Sequence, residues 1–334
     1  MLRYFLLLFC IATDFSYGFE FWNGNAYIKK HPRQIELIKN FNSVVNSTAE
    51  PIQSRQVKTI NISAILPAVM SDETRTVFLR YFKKRMQALQ IDYRLDVFEY
   101  DSNVEDDVLL GKYKAIMQSP PDYLITTLER FSQKSIVEYI LRQHSTHVIL
   151  YGVSSPVVGW GNEQSVFYAG VNYSSTFGAL SEMIKESVAS SMEIIPIAFS
   201  KGYRNHQFCN AFLDVLSENK ANVKQVLYFD DSLVSKKRIL QRINEIDKKT
   251  FIFQCDNFVD ATQFDLIEKN SSHKIMMNYW LSDDKELSRS DIQMIGFRIP
   301  FEEIEVSIAE MIHHHLEKKK FPSLYMVDLS VERS

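Results

Sequence analysis

The sequence predicts an α/β protein made of two doubly wound parallel sheets. Three observations lead there. From about residue 58 onward, short apolar runs alternate with segments whose apolar residues recur at helical spacing. The runs show little polar alternation, so both faces of each strand are covered, as in parallel sheets flanked by helices. Finally, about ten such runs are more than one open sheet holds comfortably, and no barrel repeat is present.

The elements follow in order. Residues 19–57 read as a helical arm, "FEFWNGNAYIKKHPRQIELIKNF", closed by the linker "AEPIQSRQ". Then "TINISAILP" is a strand, "SDETRTVFLRYFKKRMQAL" a helix, "YRLDVFEY" a strand and "VLLGKYKAIM" a helix. "DYLITTL", "KSIVEYILRQ", "HVILYG" and "SVFYAGV" continue as strand, helix, strand, strand. The helix "TFGALSEMIKESVASS" leads to the strand "EIIPIAF", and "NHQFCNAFLDVLSEN" is the next helix. "VKQVLYF", "TFIFQC", "KIMMNYW" and "IQMIGFRI" are strands, with "SKKRILQRINEI" and "DATQFDLIEKN" as helices between them. "FEEIEVSIAEMIHHHLEKKK" is the last helix, and "LYMVDLSV" reads as one closing strand.

The 334 residues carry a net charge of −3 with the signs interleaved. That gives no reason to expect a nucleic-acid partner, which usually needs a basic face. Residues 1–18 read as a cleaved secretory signal peptide: one early Arg3, an apolar run from Tyr4 to Ala12, and Ser16 and Gly18 before Phe19. Cys10 follows Phe9, where a lipoprotein anchor requires a small residue. The mature chain is thus expected outside the cytoplasm with two cysteines, Cys209 and Cys255, either bridged or buried as thiols.

Ligands of open parallel sheets bind beyond the carboxyl ends of the strands. Those stretches are rich in hydroxyls, amides, aromatic rings and arginine, but hold no GxSxG elbow, GxGxxG turn, Walker loop or HExxH pair. No cofactor and no enzymatic activity are expected. Trp160 is either a lid over the cleft or a loop anchor. His313, His314 and His315 point about 100° apart on a helix, so they cannot hold one metal ion. They are expected as a solvated helix end.

Several stretches resemble the type 1 periplasmic binding proteins, and within them the autoinducer-2 receptor (LuxP) branch. They are "FEFWNGNAYIKKHPRQ", "MSDETRTVFLRYFKKRMQALQIDYRL", "DYLITTLERFSQKSIVEYIL", "HVILYGVSSPVVGWGNEQSVFYAGVN", "FSKGYRNHQFCNAF", "IMMNYW" and "FRIP". The resemblance spans nearly all of the mature chain. It implies two lobes that close on a ligand about a three-strand hinge, with crossings near Val171–Tyr173, Ile295–Arg298 and Phe321–Leu324. Lobe one would be 58–171 plus 296–322, and lobe two 172–295 plus 323–334.

The resemblance also implies a periplasmic receptor for a small molecule, sugar-like, polyol or amine, regulating a membrane-bound hybrid sensor histidine kinase. The alternative is a solute-binding protein of a sugar-type transporter. Of the branch's ligand contacts, Ser71, Trp280 and Arg298 match in type and place. Val69, Thr74, Gly152, Phe208 and Phe258 stand where the branch has other polar or aromatic contacts, and Asn257 stands where it has a threonine. Asp256 would repel an anion if it faces inward. The borated autoinducer-2 ester is therefore not the expected ligand.

Overall fold

Two six-stranded sheets organise the chain. The computed structural model describes residues 21–333 except 23, 69–71, 102–103, 144, 154, 161–164, 174, 179, 181–191, 200–202, 219–221, 230–231, 256–274 and 282–292. The expected signal peptide lies outside the described residues. The first sheet contains β1 (Ile60–Pro67), β2 (Tyr93–Tyr100), β3 (Tyr123–Thr126), β4 (His147–Tyr151), β5 (Val166–Val171) and β11 (Leu324–Val327), in the spatial order β11-β5-β4-β3-β1-β2. The second contains β6 (Glu193–Phe199), β7 (Leu227–Phe229), β8 (Thr250–Gln254), β9 (Ile275–Leu281), β10 (Gln293–Arg298) and β12 (Ser330–Arg333), in the order β12-β10-β9-β8-β6-β7. The helices are α1 (Gly24–Lys30), α2 (Arg33–Val45), α3 (Asp72–Ala88), α4 (Asp106–Met117), α5 (Phe131–Gln143), α6 (Tyr203–Glu218), α7 (Leu233–Asn244) and α8 (Phe301–Leu316).

β3, β5 and β8 are buried at every position, which is why their sequences show no polar alternation. β12 departs from the expected all-parallel arrangement, since it pairs antiparallel with β10.

The lobe boundaries also differ from those expected. The closing run "LYMVDLSV" is two strands in two sheets, not one strand of lobe two. Leu324–Val327 pairs parallel with β5, and Ser330–Arg333 pairs with β10. The physical reason lies at Asp328, an exposed charge that interrupts the buried run Leu324, Tyr325 and Val327. The third crossing therefore falls at Asp328–Leu329, and residues 324–327 belong to the first lobe. β10 keeps Gly296, Phe297 and Arg298 in the second sheet. The second crossing is thus Ile299–Pro300, where a proline without an N–H ends the ladder and precedes α8.

The arm and the last helix brace the first lobe. Tyr27 shares a 2.7 Å hydrogen bond with Ser323, and the Gln34 side-chain oxygen accepts from the Ser323 backbone N–H. The Tyr325 hydroxyl lies between two acceptors for its one proton, the Asn42 side-chain oxygen on α2 at 2.7 Å and the Glu303 carboxylate on α8 at 2.5 Å. Glu317, just past α8, accepts from the backbone N–H groups of Gln53 and Ser54 and fixes the linker.

Between α2, α3 and α8 lies a buried ionic cluster. Arg85 donates to Glu310 at 2.6 Å, and its other N–H groups reach the carbonyls of Val44 and Ser47 at the end of α2. Glu310 also contacts Nδ1 of His313. Nearby, the fully buried Glu305 carboxylate accepts from the N–H groups of Tyr81 and Phe82.

The histidine triplet is accordingly packed, in contrast to the solvated end expected. His313 is buried against Glu310. The His314 ring meets Phe41 edge-on, and its Nδ1 faces the Lys320 carbonyl. His315 accepts or donates a 2.6 Å hydrogen bond with the Tyr123 hydroxyl and packs on His147, ring centroids 4.0 Å apart. Burial, reinforced by His315, holds His147 down at about 4, while the Asp122 charge opposes the shift.

Two predictions follow from this packing. Glu310→Gln leaves the Arg85 charge without its carboxylate, and should lower the unfolding free energy by about 3 kcal/mol in urea titration. His147 loses stability toward acid: the unfolded ring titrates near 6.5 and the folded one near 4, so the unfolded chain takes the proton first. Melting temperature should fall as pH drops from 6.5 toward 4, and His147→Gln should flatten that slope.

Candidate functional site

The carboxyl ends of the first sheet's strands are lined by a closed polar network. Tyr100 ends β2, and its hydroxyl pairs with Thr127 at 2.9 Å and donates to Glu129 at 3.1 Å. Tyr113, from α4, pairs with Thr126 at 2.5 Å. Gln133, fully buried in the first turn of α5, joins the two halves by donating to both tyrosine hydroxyls. Its oxygen accepts from the backbone N–H groups of Glu129 and Arg130, so one amide both caps α5 and shapes the loop after β3. Arg130 is held by Asp106 at 3.1 Å and by the Val104 carbonyl. Burial pushes the Tyr113 hydroxyl up to about 12 and Tyr100 higher still, with Glu129 adding to the latter. Both phenols act as neutral hydrogen-bonding groups. This arrangement fixes the half-buried Glu129 and Arg130 at the sheet's edge.

The loop after β4 is equally constrained. Gly152 takes φ 72°, a left-handed conformation that glycine adopts without strain, and its N–H reaches the Ala169 carbonyl at 2.7 Å. Gly170 on β5 runs so close to this loop that a Cβ there would sit 2.4 Å from the Val153 carbonyl oxygen. The Val157 N–H donates to the Tyr168 hydroxyl, and the Trp22 N–H to the Pro156 carbonyl. Trp160 is buried in this packing, and its indole N–H donates to Glu138 on α5 at 3.1 Å. These are the contacts of a loop anchor.

At the hinge, the Asn172 N–H donates to the Val327 carbonyl at 2.7 Å, and the Leu329 N–H to the Thr176 hydroxyl at 3.2 Å. The first and third crossings are thereby laced together. Arg298 ends β10, and its Nε and Nη2 both donate to Glu332 on β12 at 3.2 Å. Trp280 lies one position from the end of β9, where its backbone is in register with Phe297. The strands bring Trp280 and Arg298 to the same edge of the second sheet.

Cys209 on α6 and Cys255 at the end of β8 are joined by a disulfide, Cα to Cα 5.3 Å. With the two cysteines 46 positions apart in the chain, loop-closure entropy assigns the bridge about 4 kcal/mol. It ties the helix to the chain directly before Asp256. Ser71, Asp256 and Asn257 themselves lie outside the described residues. Sequence reasoning missed Gln133; the signal available was an uncharged amide three residues after Arg130, in the first turn of a helix.

Among the described residues no group of three histidine, cysteine, aspartate or glutamate side chains could hold a metal ion. No described helix is long and apolar enough to cross a membrane.

No protein-family model matches the chain. Solved structures do. The fructose-binding periplasmic domain of a hybrid two-component system aligns with a TM-score of 0.63 at 13% identity, covering 82% of this chain and 90% of that one. A solute-binding protein of an ABC transporter from Agrobacterium vitis, bound with α-D-tagatopyranose, aligns with a TM-score of 0.63 at 11% identity, over 82% and 94%. The lac repressor dimer bound to operator and an anti-inducer gives 0.61 at 12% identity, over 83% and 94%. At these identities the likeness shows the fold: two parallel-strand lobes of the type 1 periplasmic binding protein kind.

Proposed function

We propose that this protein is a periplasmic receptor that closes its two lobes on a small sugar-class molecule and passes that closure to a membrane-bound sensor kinase. The observation that carries the reading is the joining of the two sheets by three crossings, one leaving β5 after Val171, one at residues 299–300 and one at residues 328–329. Such crossings let two rigid lobes rotate about a hinge while the strand ends face the ligand between them. The sugar-binding domains with this fold support the ligand class, and the hybrid-sensor domain among them supports the partner.

Trp280, Arg298 and Ser71 are the residues proposed to touch the ligand, with Asp256 and Asn257 contributed by the loop after β8. Trp160 remains a candidate only from the loop side, given its anchored indole. An aromatic face stacks on the apolar face of a sugar ring, and a guanidinium fork binds its oxygens. Glu332 pre-orients that fork before ligand arrives. The likeness to the autoinducer-2 receptor branch rests on the sequence, and the branch's borate ester is not the ligand proposed. The second reading, delivery of a sugar to a permease, is favoured by the tagatose-bound neighbour.

A thermal-shift screen against ketoses, aldoses, polyols, small amines and the borate ester tests the proposal. A ligand at about 100 times its Kd should stabilise the protein by about 2.7 kcal/mol. Arg298→Ala should remove that shift while the unliganded melting temperature stays close to wild type. A screen in which only the borate ester or nothing stabilises the protein contradicts the sugar-class reading. An undiminished shift in Arg298→Ala moves the site away from the hinge.

A further inference from the structure

The two sheets end in matching edge units of opposite charge. In the first sheet the edge strand β2 is followed by α4, and in the second the edge strand β7 is followed by α7. Each helix exposes a valine in its first turn, Val108 at 51% and Val234 at 78%. Beside Val108 stand Glu105, Asp106 and Asp107, all exposed, with Lys114 two turns further along the helix. On α7, Val234, Arg238 and Arg242 recur every four residues on one stripe, with Lys237 beside them. The edge strand β7 adds Tyr228, half exposed.

The basic stripe is not placed for the helix's own benefit. The N-terminal half of a helix favours acids, yet α7 has none in its first turn and carries its lysines and Arg238 early. Lys237, Arg238 and Arg242 form no ion pair among the described residues. The acids of α4 suit their own helix, and Asp106 pairs with Arg130 at 3.1 Å, while its carboxylate and that of Asp107 stay exposed. Gly111, one turn beyond Val108, has nothing within 4 Å of where a side chain would start, so an approaching helix meets open surface.

We infer that the acidic α4 edge of one copy docks on the basic α7 edge of a second copy of this chain. The two exposed valines meet at the centre, ringed by opposite charges. The occupant follows from complementarity within a single molecule: the start of α4 carries Asp106 and Asp107 where the start of α7 carries Lys236 and Lys237, at the same place in the same strand–helix unit. Such a contact is heterologous, joining lobe one of one molecule to lobe two of another. Its charged rim sets register and association rate, and salt should weaken it.

Sedimentation of the purified protein at about 20 mM and about 500 mM salt is the first test, because screening tightens from tens of ångströms to a few over that range. Self-association at low salt that falls about tenfold or more at high salt is expected. A monomer at low salt overturns the inference. Two charge-reversed variants complete the test, Asp106→Lys with Asp107→Lys, and Lys237→Glu with Arg238→Glu. Each variant alone should be monomeric, with an unchanged melting curve as the check on folding. Mixed in equal amounts they should associate again, since one now has two basic edges and the other two acidic ones. Variants that associate like the wild type, or a mixture that stays monomeric, overturn it.

Discussion

The segment from Leu324 to Arg333 constrains everything else in this molecule. Its first half is a strand of one sheet, its second half a strand of the other, and only Asp328 and Leu329 lie between. Both halves are registered by hydrogen bonds to neighbours, so the two sheets cannot drift apart along the strand direction. Asn172 and Thr176, on the first crossing, bond to this same segment. At this segment and at Ile299–Pro300, the connection between the two sheets is reduced to the backbone torsions of two residues each. That is the condition for a hinge rather than a loose tether.

The rest of the first lobe is arranged to hold that segment still. The arm contributes Tyr27, Gln34 and Asn42, which bond to Ser323 and Tyr325. Phe41 packs edge-on against Tyr325, Phe167 and His314, joining arm, sheet and last helix in one apolar cluster. Beneath it, Arg85 and Glu310 lock α3 and α8 to the end of α2. The arm is therefore part of the hinge's foundation. In the second lobe the corresponding rigidity comes from stacked rings, with Phe212 and Phe253 centroids 3.6 Å apart beside the disulfide.

Much of this was legible in the sequence. Unalternated apolar runs announced the buried parallel strands, because a strand covered on both faces has no polar side to display. What the sequence hid was tertiary. "LYMVDLSV" looks like one strand because a single aspartate is a weak break; only the pairing partners on either side divide it. The histidine triplet sits among lysines and so looks solvated, yet Tyr123 and His147 come from strands far away in the chain. Of the proposed site, Trp280 and Arg298 were singled out by the words "NYW" and "FRIP", and the strand register brings them to one sheet edge. Gln133 was not, since its value lies in joining two tyrosines that neither spacing nor composition connects.

The central claim is that the lobes close on a sugar-class ligand about these three crossings. Small-angle X-ray scattering across a titration with the stabilising sugar tests it most directly. The account predicts a radius of gyration that contracts and saturates with the same midpoint as binding, and that stays at the open value in Arg298→Ala. A ligand that binds with saturable heat while the radius of gyration stays constant throughout would contradict it.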